Sequence, residues 1–154
     1  QDFSQNLHTE VGDFNIRRSD GIYAYHLAVA LDDAHQKVSH IVRGADLMDS
    51  SPRQIFLQQE LKLVTPVYAH LPVALSASGQ KICKQHKAED VLLNNQPAEV
   101  LLNCLDFLGQ EPPGELLDYP VEEVIQWGID NWRFSSIPAL AEITAPAKFP
   151  SLGN

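Results

Sequence analysis

The stretch from Asp20 to Gln54 most constrains the fold, because a helical pattern, a strand pattern and a second helical pattern follow one another within it. Residues 25–31 carry apolar side chains at the mixed spacing of a helix, and residues 38–42 alternate as a short strand does. The second helix has clear start signals, with Ser50 or Ser51 as its N-cap and a proline in the first turn. Alternating helices and strands predict an α/β fold.

The segments on either side extend this pattern. Residues 14–17 alternate apolar and polar side chains and predict a strand before the first helix. Residues 68–75 are more uniformly apolar and predict a buried strand that ends in a loop at residues 76–79. Strand, helix, strand, helix, strand in this order predicts half of a doubly wound parallel sheet.

The last part of the chain has a helical pattern. Residues 98–108 predict one helix that a glycine ends, and residues 119–132 predict another. We expect the tail from Pro138 to pack without regular structure. The chain therefore divides into an α/β part, residues 1–87, and a helical subdomain, residues 88–154. The apolar face of the last helix is predicted to comprise Val121, Val124, Ile125, Ile129 and Trp132.

Charge and cysteine content limit the possible functions. The chain has 11 basic and 20 acidic residues, a net charge of -9, which is unlike a general nucleic-acid binder. Its start lacks the features of a signal peptide, and no apolar run is long enough to span a membrane. Cys83 and Cys104 are too far apart for a CxxC motif; one disulfide stays possible, but two free thiols in the cytoplasm are favoured.

Arg43 follows directly on the predicted central strand. Ligands of open parallel sheets bind at the carboxyl ends of strands, so Arg43 is a candidate clamp for a carboxylate or a phosphate. The alternative is a structural salt bridge to Asp32, Asp33 or Asp46, at about even odds. Tyr25, which opens the first helix, is by itself better explained as a core aromatic residue.

The loop after the last predicted strand contains Lys81 and Lys84. Two lysines three residues apart on a flexible loop suit the stabilisation of charge on a leaving pyrophosphate. The alternative is an ordinary solvated loop, which these residues alone favour. The histidines have no metal-ligand spacing, so no metal site is predicted.

The order and spacing of these motifs resemble the glutamyl/glutaminyl branch of class I aminoacyl-tRNA synthetases over residues 12–132. Within that branch the chain is most similar to members that lack an anticodon-binding domain and attach glutamate to the queuosine base of tRNA(Asp). The resemblance implies a Rossmann-type catalytic domain, with glutamate, ATP with Mg, and tRNA(Asp) as substrates. It depends on the following residues: Asp20-Gly21, Tyr25-His26-Leu27-Ala28, Asp32-Asp33, Ile41-Val42-Arg43-Gly44-Ala45-Asp46-Leu47 and Pro52-Arg53-Gln54.

The resemblance also implies roles for single residues. Tyr25 and Arg43 correspond to residues that bind glutamate. Lys81-Ile82-Cys83-Lys84-Gln85 is similar to the KMSKS signature in its KLSKQ form, which implies catalytic roles for Lys81 and Lys84 and ATP binding by Lys84. Cys83 departs from the usual serine, and a thiol is a weaker hydrogen-bonding group than a hydroxyl.

The family's HIGH motif, its acidic residue for the substrate amino group and its zinc-binding cysteines have no counterpart in this sequence. We therefore expect the chain to be the C-terminal half of such an enzyme, with its N-terminal half missing and no activity of its own. Two hypotheses remain: part of a ligase, or a truncated paralogue that acts as a non-catalytic binding or structural module.

Overall fold

The computed structural model describes residues 5–82 and 95–146. The chain forms two compact units, Gln1–His70 and Leu71–Asn154. The predicted boundary between residues 87 and 88 lies outside the described residues and stays a prediction.

The first unit contains the predicted helix, strand and helix. Its α-helices and strands are α1 (Tyr25–His35), β1 (His40–Gly44), α2 (Ser50–Glu60) and β2 (Val67–Leu71), whose last residue begins the second unit. β1 and β2 form a two-stranded sheet. The amide of Val67 donates a hydrogen bond of 2.9 Å to the carbonyl of Ser39, which places the N-terminal ends of both strands together. The strands are therefore parallel, and α2 is the crossover that parallel strands require.

The start of α2 differs from the prediction. Asp49 occupies the N-cap position without a side-chain cap, and Ser50 and Ser51 both lie inside the helix. The serine cap is therefore wrong. Ser51 is buried, with 7 % of its surface exposed, and its hydroxyl bonds to side chains of the strands instead of the helix terminus.

The predicted strand over residues 14–17 is absent from the described part of the chain. Arg17 forms only an isolated antiparallel bridge to Tyr23, and the chain reverses between them. The reversal is closed by hydrogen bonds between Arg18 and Ile22 and by Asp20, whose carboxylate accepts from the Ile22 amide at 3.1 Å. A turn this tight leaves no length for a strand, so the alternation belongs to a hairpin-like turn.

The predicted strand over residues 68–75 is two strands. Pro72, which has no amide proton to donate, separates β2 from β3 (Val73–Leu75). β3 pairs in parallel with β4 (Glu142–Thr144), with Val73 opposite Glu142 and Leu75 opposite Thr144. The predictions that these strands belong to one sheet and that the tail is irregular are therefore both wrong, because a strand of the tail pairs with β3.

Two helices form the core of the second unit, α3 (Pro97–Phe107) and α4 (Val121–Asp130). Gly109 ends α3 as predicted, in a left-handed conformation with φ of 71°. Its amide bonds to the carbonyl of Asp106, and the Gln110 amide bonds to that of Leu105, which together form a Schellman motif. The buried cluster comprises Ala98, Leu116 and Val124.

The predicted apolar face of α4 is only partly buried. Val124 is fully buried and Trp127 packs against the cluster, but Ile125 and Ile129 are 47 % and 65 % exposed. α4 packs on α3 along a narrow seam, where Gly128 allows Leu105 to approach. Apolar residues outside that seam stay in contact with solvent.

Candidate functional site: a buried polar network around Arg43

Arg43 lies on β1 and is held by three hydrogen bonds to side chains of the first unit. Its Nη1 donates to Gln54 Oε1 at 2.9 Å, and its Nη2 donates to Ser51 Oγ at 2.7 Å. Its Nε donates to His70 Nε2 at 3.3 Å. These acceptors are all neutral, unlike the aspartates of the alternative interpretation.

The side chains of the network come from one face of helix α2 and one face of strand β2. On α2, polar side chains at positions 51, 54 and 58 repeat with helical spacing and are buried on the face that also buries Leu57. On β2, Tyr68 and His70 are two residues apart and so share one face of the strand. Arg43 lies where this helix face meets the two-stranded sheet.

The hydrogen bonds define the state of His70. Arginine has no acceptor, so Nε2 of His70 must carry the lone pair and its ring must be neutral. The Ser51 hydroxyl accepts from Arg43 and lies 3.0 Å from the same nitrogen, to which it can donate only by sharing the single lone pair with Arg43 Nε. Burial, reinforced by the charge of Arg43, lowers the pKa of His70 from its ordinary value of 6.5 and so favours this neutral form.

The Tyr68 ring packs against the guanidinium group of Arg43. The Cζ atom of Arg43 lies 5.2 Å from the centre of the Tyr68 ring, in cation–π geometry, and that ring stacks on His70. Gln58 Nε2 donates to the Tyr68 hydroxyl at 3.0 Å. Burial raises the pKa of Tyr68, so the phenol is neutral at pH 7 and leaves the charge of Arg43 intact.

His26 on α1 adds no charge at neutral pH either. Burial, together with the charges of Arg53 and Arg43, lowers its pKa from 6.5. Arg43 is half-buried, and the described side chains that hydrogen-bond to it are thus neutral. Such a site suits a carboxylate or phosphate, because an anionic ligand supplies the charge that the protein's hydrogen-bonding partners do not.

Several buried atoms near this network have no hydrogen-bond partner among the described residues. They include Gln54 Nε2, Gln58 Oε1 and His26 Nδ1. Gln54 and Gln58 are 0 % and 1 % exposed, so these atoms are removed from bulk water. Both glutamines are therefore only partly satisfied, with one amide end engaged and the other end unpaired.

The other candidate residues are placed as follows. Tyr25 is the first residue of α1; it is 51 % exposed, which differs from a core aromatic, and its ring contacts His26 edge-on at 5.5 Å. Lys81 belongs to the second unit, where it is exposed and pairs with Leu75 across the turn at residues 76–80. Lys84 and Cys83 lie outside the described residues, and Cys104 is a free, half-buried cysteine.

Sequence reasoning missed the partners of Arg43. The sequence pattern predicts a helix cap at Ser50 or Ser51 and no metal-ligand role for His70. A signal was present, because polar residues at 51, 54 and 58 follow the same helical period as buried Leu57. A polar stripe on the buried face of a helix indicates a hydrogen-bonded partner across from it.

No group of three or more histidine, cysteine, aspartate or glutamate side chains among the described residues could hold a metal ion. No helix among residues 5–82 and 95–146 is long and apolar enough to cross a membrane.

The family model and the similar proteins agree on one family. The model of the catalytic domain of class I tRNA synthetases (E and Q) matches residues 4–128. A protein named glutamyl-Q tRNA(Asp) synthetase from Thiobacillus denitrificans is 43 % identical over 146 residues, which is 95 % of this chain and 48 % of the relative. A protein of the same name from Ectopseudomonas mendocina is 47 % identical over 137 residues, 89 % of this chain and 46 % of the relative. The chain thus spans about half the length of these relatives.

Solved structures share the fold. A glutamate tRNA ligase from Elizabethkingia meningosepticum, crystallised with its amino acid, matches 84 % of this chain with a TM-score of 0.58 and 22 % identity. A glutamate-tRNA synthetase from Elizabethkingia anophelis matches with the same values. The match covers 30 % of each of those chains. This likeness confirms the predicted α/β fold of class I synthetases.

Proposed function

Since this chain belongs to the class I glutamyl- and glutaminyl-tRNA synthetase family, we propose that it is part of an ATP-dependent ligase. The ligase activates glutamate and transfers it to the queuosine base of tRNA(Asp). The names of the relatives, which are 43 % and 47 % identical, support this choice of amino acid and tRNA. The partners are then glutamate, ATP with Mg, tRNA(Asp) and an N-terminal half like that of the relatives, and the location is the cytoplasm.

Arg43 carries the proposal. Its guanidinium binds a carboxylate of glutamate, and the exposed Tyr25 hydroxyl adds a hydrogen bond to the same amino acid. The supporting observation is that, among residues 5–82 and 95–146, the hydrogen bonds of Arg43 go to neutral groups, which leave its charge available to a ligand. Arginine suits this task because its planar fork matches the two oxygens of a carboxylate.

Activation joins the α-carboxylate of glutamate to the α-phosphate of ATP and releases pyrophosphate. The carboxylate is already a nucleophile, so the protein needs no general base for this step. Mg supplies charge neutralisation on the phosphates when bound with ATP. Lys81 and Lys84 stabilise the negative charge that develops on the leaving pyrophosphate. The chain's net charge of -9 leaves tRNA contacts mainly to the partner half.

Replacing Arg43 tests the glutamate site. In the intact gene product, Arg43→Ala should weaken glutamate binding by on the order of 2 kcal/mol or more, because a charge-assisted pair is lost. Arg43→Lys should recover little of that loss, since a lysine lacks the fork. Arg18→Ala removes the same charge from an exposed turn, where Arg18 pairs with Asp20, and should bind normally. An unchanged glutamate KM in Arg43→Ala would refute the assignment.

Replacing Lys84 tests the chemical step. Because pyrophosphate charge peaks in the transition state, Lys84→Ala should lower kcat for glutamate-dependent pyrophosphate exchange far more than it raises the KM for ATP. A loss confined to KM would instead make Lys84 a ground-state ligand of ATP.

The second candidate is a non-catalytic module, which Cys83 in place of the family's serine favours. These 154 residues by themselves should then bind glutamate but catalyse no ATP–pyrophosphate exchange. In a catalytic gene product, Cys83→Ser should leave the exchange rate equal or higher. Exchange activity in the segment alone would contradict both the module and the need for a partner half.

A further inference from the structure

We propose that Ser51, Gln54 and His70 are positioning residues that hold the Arg43 guanidinium in the orientation in which it binds its anionic ligand. This inference rests on the proposed function of Arg43 and adds the residues on which that function depends. None of the three needs to touch the ligand; each acts through Arg43.

The geometry leaves Arg43 able to bind while it is held. Arginine has five N–H groups, and the three hydrogen bonds use the Nε–H and one N–H on each Nη atom. Among the described residues, one N–H on Nη1 and one on Nη2 are left without an acceptor, so each Nη atom can still donate to an oxygen of a carboxylate. The partners therefore hold the group while both Nη atoms keep a donor for the ligand.

The chemistry of the partners points the same way. A carboxylate in place of Gln54 or Ser51 would hold Arg43 more strongly, but it would also neutralise the charge that attracts the ligand. An amide oxygen, a hydroxyl and a neutral imidazole orient the cation and leave its charge unchanged. The Tyr68 ring, 5.2 Å away, supports the guanidinium plane and is neutral as well.

Gln54 is poorly explained by folding alone. It is 0 % exposed, yet its Nε2 has no partner among the described residues, and an unpaired buried amide is costly. An apolar residue of similar volume would avoid that cost. What the glutamine supplies is the oxygen that accepts from Arg43 Nη1 at 2.9 Å.

His70 can hold Arg43 only while Nε2 is unprotonated. An imidazolium would present an N–H to the Nε–H of Arg43 and would also repel its charge. The bond to Ser51 would reverse direction, because a protonated Nε2 can only donate to the hydroxyl oxygen. The charged group that acts on His70 is Arg43. Arg43 also acts on His26, together with Arg53, and on Tyr68, together with Asp33 and Tyr25.

The test measures L-glutamate binding to the intact gene product by calorimetry, alongside melting temperature. Gln54→Met and His70→Leu each remove one acceptor from Arg43 and should raise the Kd about tenfold, the equivalent of one charge-assisted hydrogen bond. Gln54→Met should melt at an unchanged or higher temperature. Gln110→Met, at a buried glutamine of the second unit, should melt lower and keep the wild-type Kd.

A pH profile separates positioning from a structural role. The wild-type Kd should rise as the pH falls below about 6.5, the ordinary pKa of histidine, toward 5. In His70→Gln, an amide oxygen can replace the Nε2 acceptor and does not titrate. That variant should bind within about twofold of the wild type at pH 7.5 and lose the acid dependence due to position 70. His26 is present in both proteins and cancels in the comparison.

The outcomes distinguish this inference from the proposed function. If Arg43→Ala loses binding while Gln54→Met and His70→Leu bind as the wild type does, the positioning role is wrong and the clamp stands. If Arg43→Ala binds normally, or the wild type binds no glutamate, the proposed function is wrong and the positioning role fails with it. Equal pH profiles for the wild type and His70→Gln would also overturn the role of His70.

Discussion

Each unit of this protein contains a buried glutamine that is hydrogen-bonded to an arginine, but the groups that form the bonds differ. In the first unit, Gln54 accepts from the Arg43 side chain and leaves its own Nε2 unpaired. In the second unit, Gln110 donates to the carbonyls of Leu108 and Arg133 and accepts from the Arg133 amide at 2.7 Å. Gln110 thus binds the backbone, whereas Gln54 binds a charged side chain.

The arginines differ in the same way. The Arg133 side chain is 51 % exposed and pairs with Glu111 at 2.9 Å, so its charge is neutralised at the surface. Arg43 is half-buried, and its hydrogen-bonding partners are neutral. Gln110 satisfies backbone groups and so closes a loop. Gln54 binds a cation while its own Nε2 stays unpaired, which we interpret as the mark of a binding site.

The largest effect is expected at the loop that Gln110 closes. A Cβ on Gly109 would lie 2.3 Å from the Ser136 carbonyl oxygen, at a φ of 71°. Gly109→Ala should therefore lower the free energy of unfolding by about 3 to 4 kcal/mol, measured by denaturant titration. Gly12→Ala is the control in the first unit: its φ is 68° with nothing near the Cβ, so about 1 to 2 kcal/mol is expected. Equal losses of stability in the two variants would mean that the contact with Ser136 adds nothing to the strain of a positive φ.

Replacing each of the two glutamines by methionine tests the difference between their roles. Gln110→Met leaves the Arg133 amide and two carbonyls without their partner, so a loss of about 2 to 3 kcal/mol in unfolding free energy is expected. Gln54→Met leaves one N–H of the half-buried Arg43 without its acceptor but also removes the unpaired buried Nε2, so the two effects offset and stability should change by less than about 1 kcal/mol. Thermal and denaturant unfolding of both variants, side by side, checks this; similar losses would contradict the distinction.

A smaller effect is expected from pH. His26 and His70 both have pKa values below 6.5 in the folded chain, mainly because of burial, so the unfolded chain binds more protons as the pH falls. Their contribution to stability is complete above 6.5 and is lost as the pH falls through their folded pKa values. The free energy of unfolding should therefore decrease between pH 7.5 and 5.5. Replacing both histidines by glutamine should flatten this profile, and an unchanged slope would assign it to other groups.

The smallest effect is expected at the surface ion pair. Arg133 and Glu111 are 51 % and 78 % exposed, and exposed pairs stabilise proteins little. Glu111→Gln should change the free energy of unfolding by less than about 0.5 kcal/mol, and less still in high salt. A loss above about 1 kcal/mol would show that the pair helps Gln110 to close the loop.

The sequence predicted most strongly where a signal was local. The helix–strand–helix order, the end of α3 at Gly109 and the place of Arg43 in β1 all follow from spacing within a few residues. The family resemblance was equally accessible, because it depends on the order of short motifs, and the family model confirms it. The role of each site residue stays a prediction.

Long-range pairing was where sequence reasoning failed. The sequence alone does not show that Pro72 separates two sheets, or that the tail pairs with β3. On α4, the pattern identified apolar residues but not the narrow seam that buries only some of them. Strand partners and buried faces depend on segments far apart in the chain, which periodicity does not encode.

Short motifs and local spacing were enough to identify the family, the main helices and an arginine near the carboxyl end of β1. What holds that arginine follows only from the folded arrangement. Ser51, Gln54 and His70 come from a helix and a second strand, 8, 11 and 27 residues away. The physical reason is that hydrogen bonds form between side chains that are close in space, and this closeness arises only when α2 packs on the paired strands.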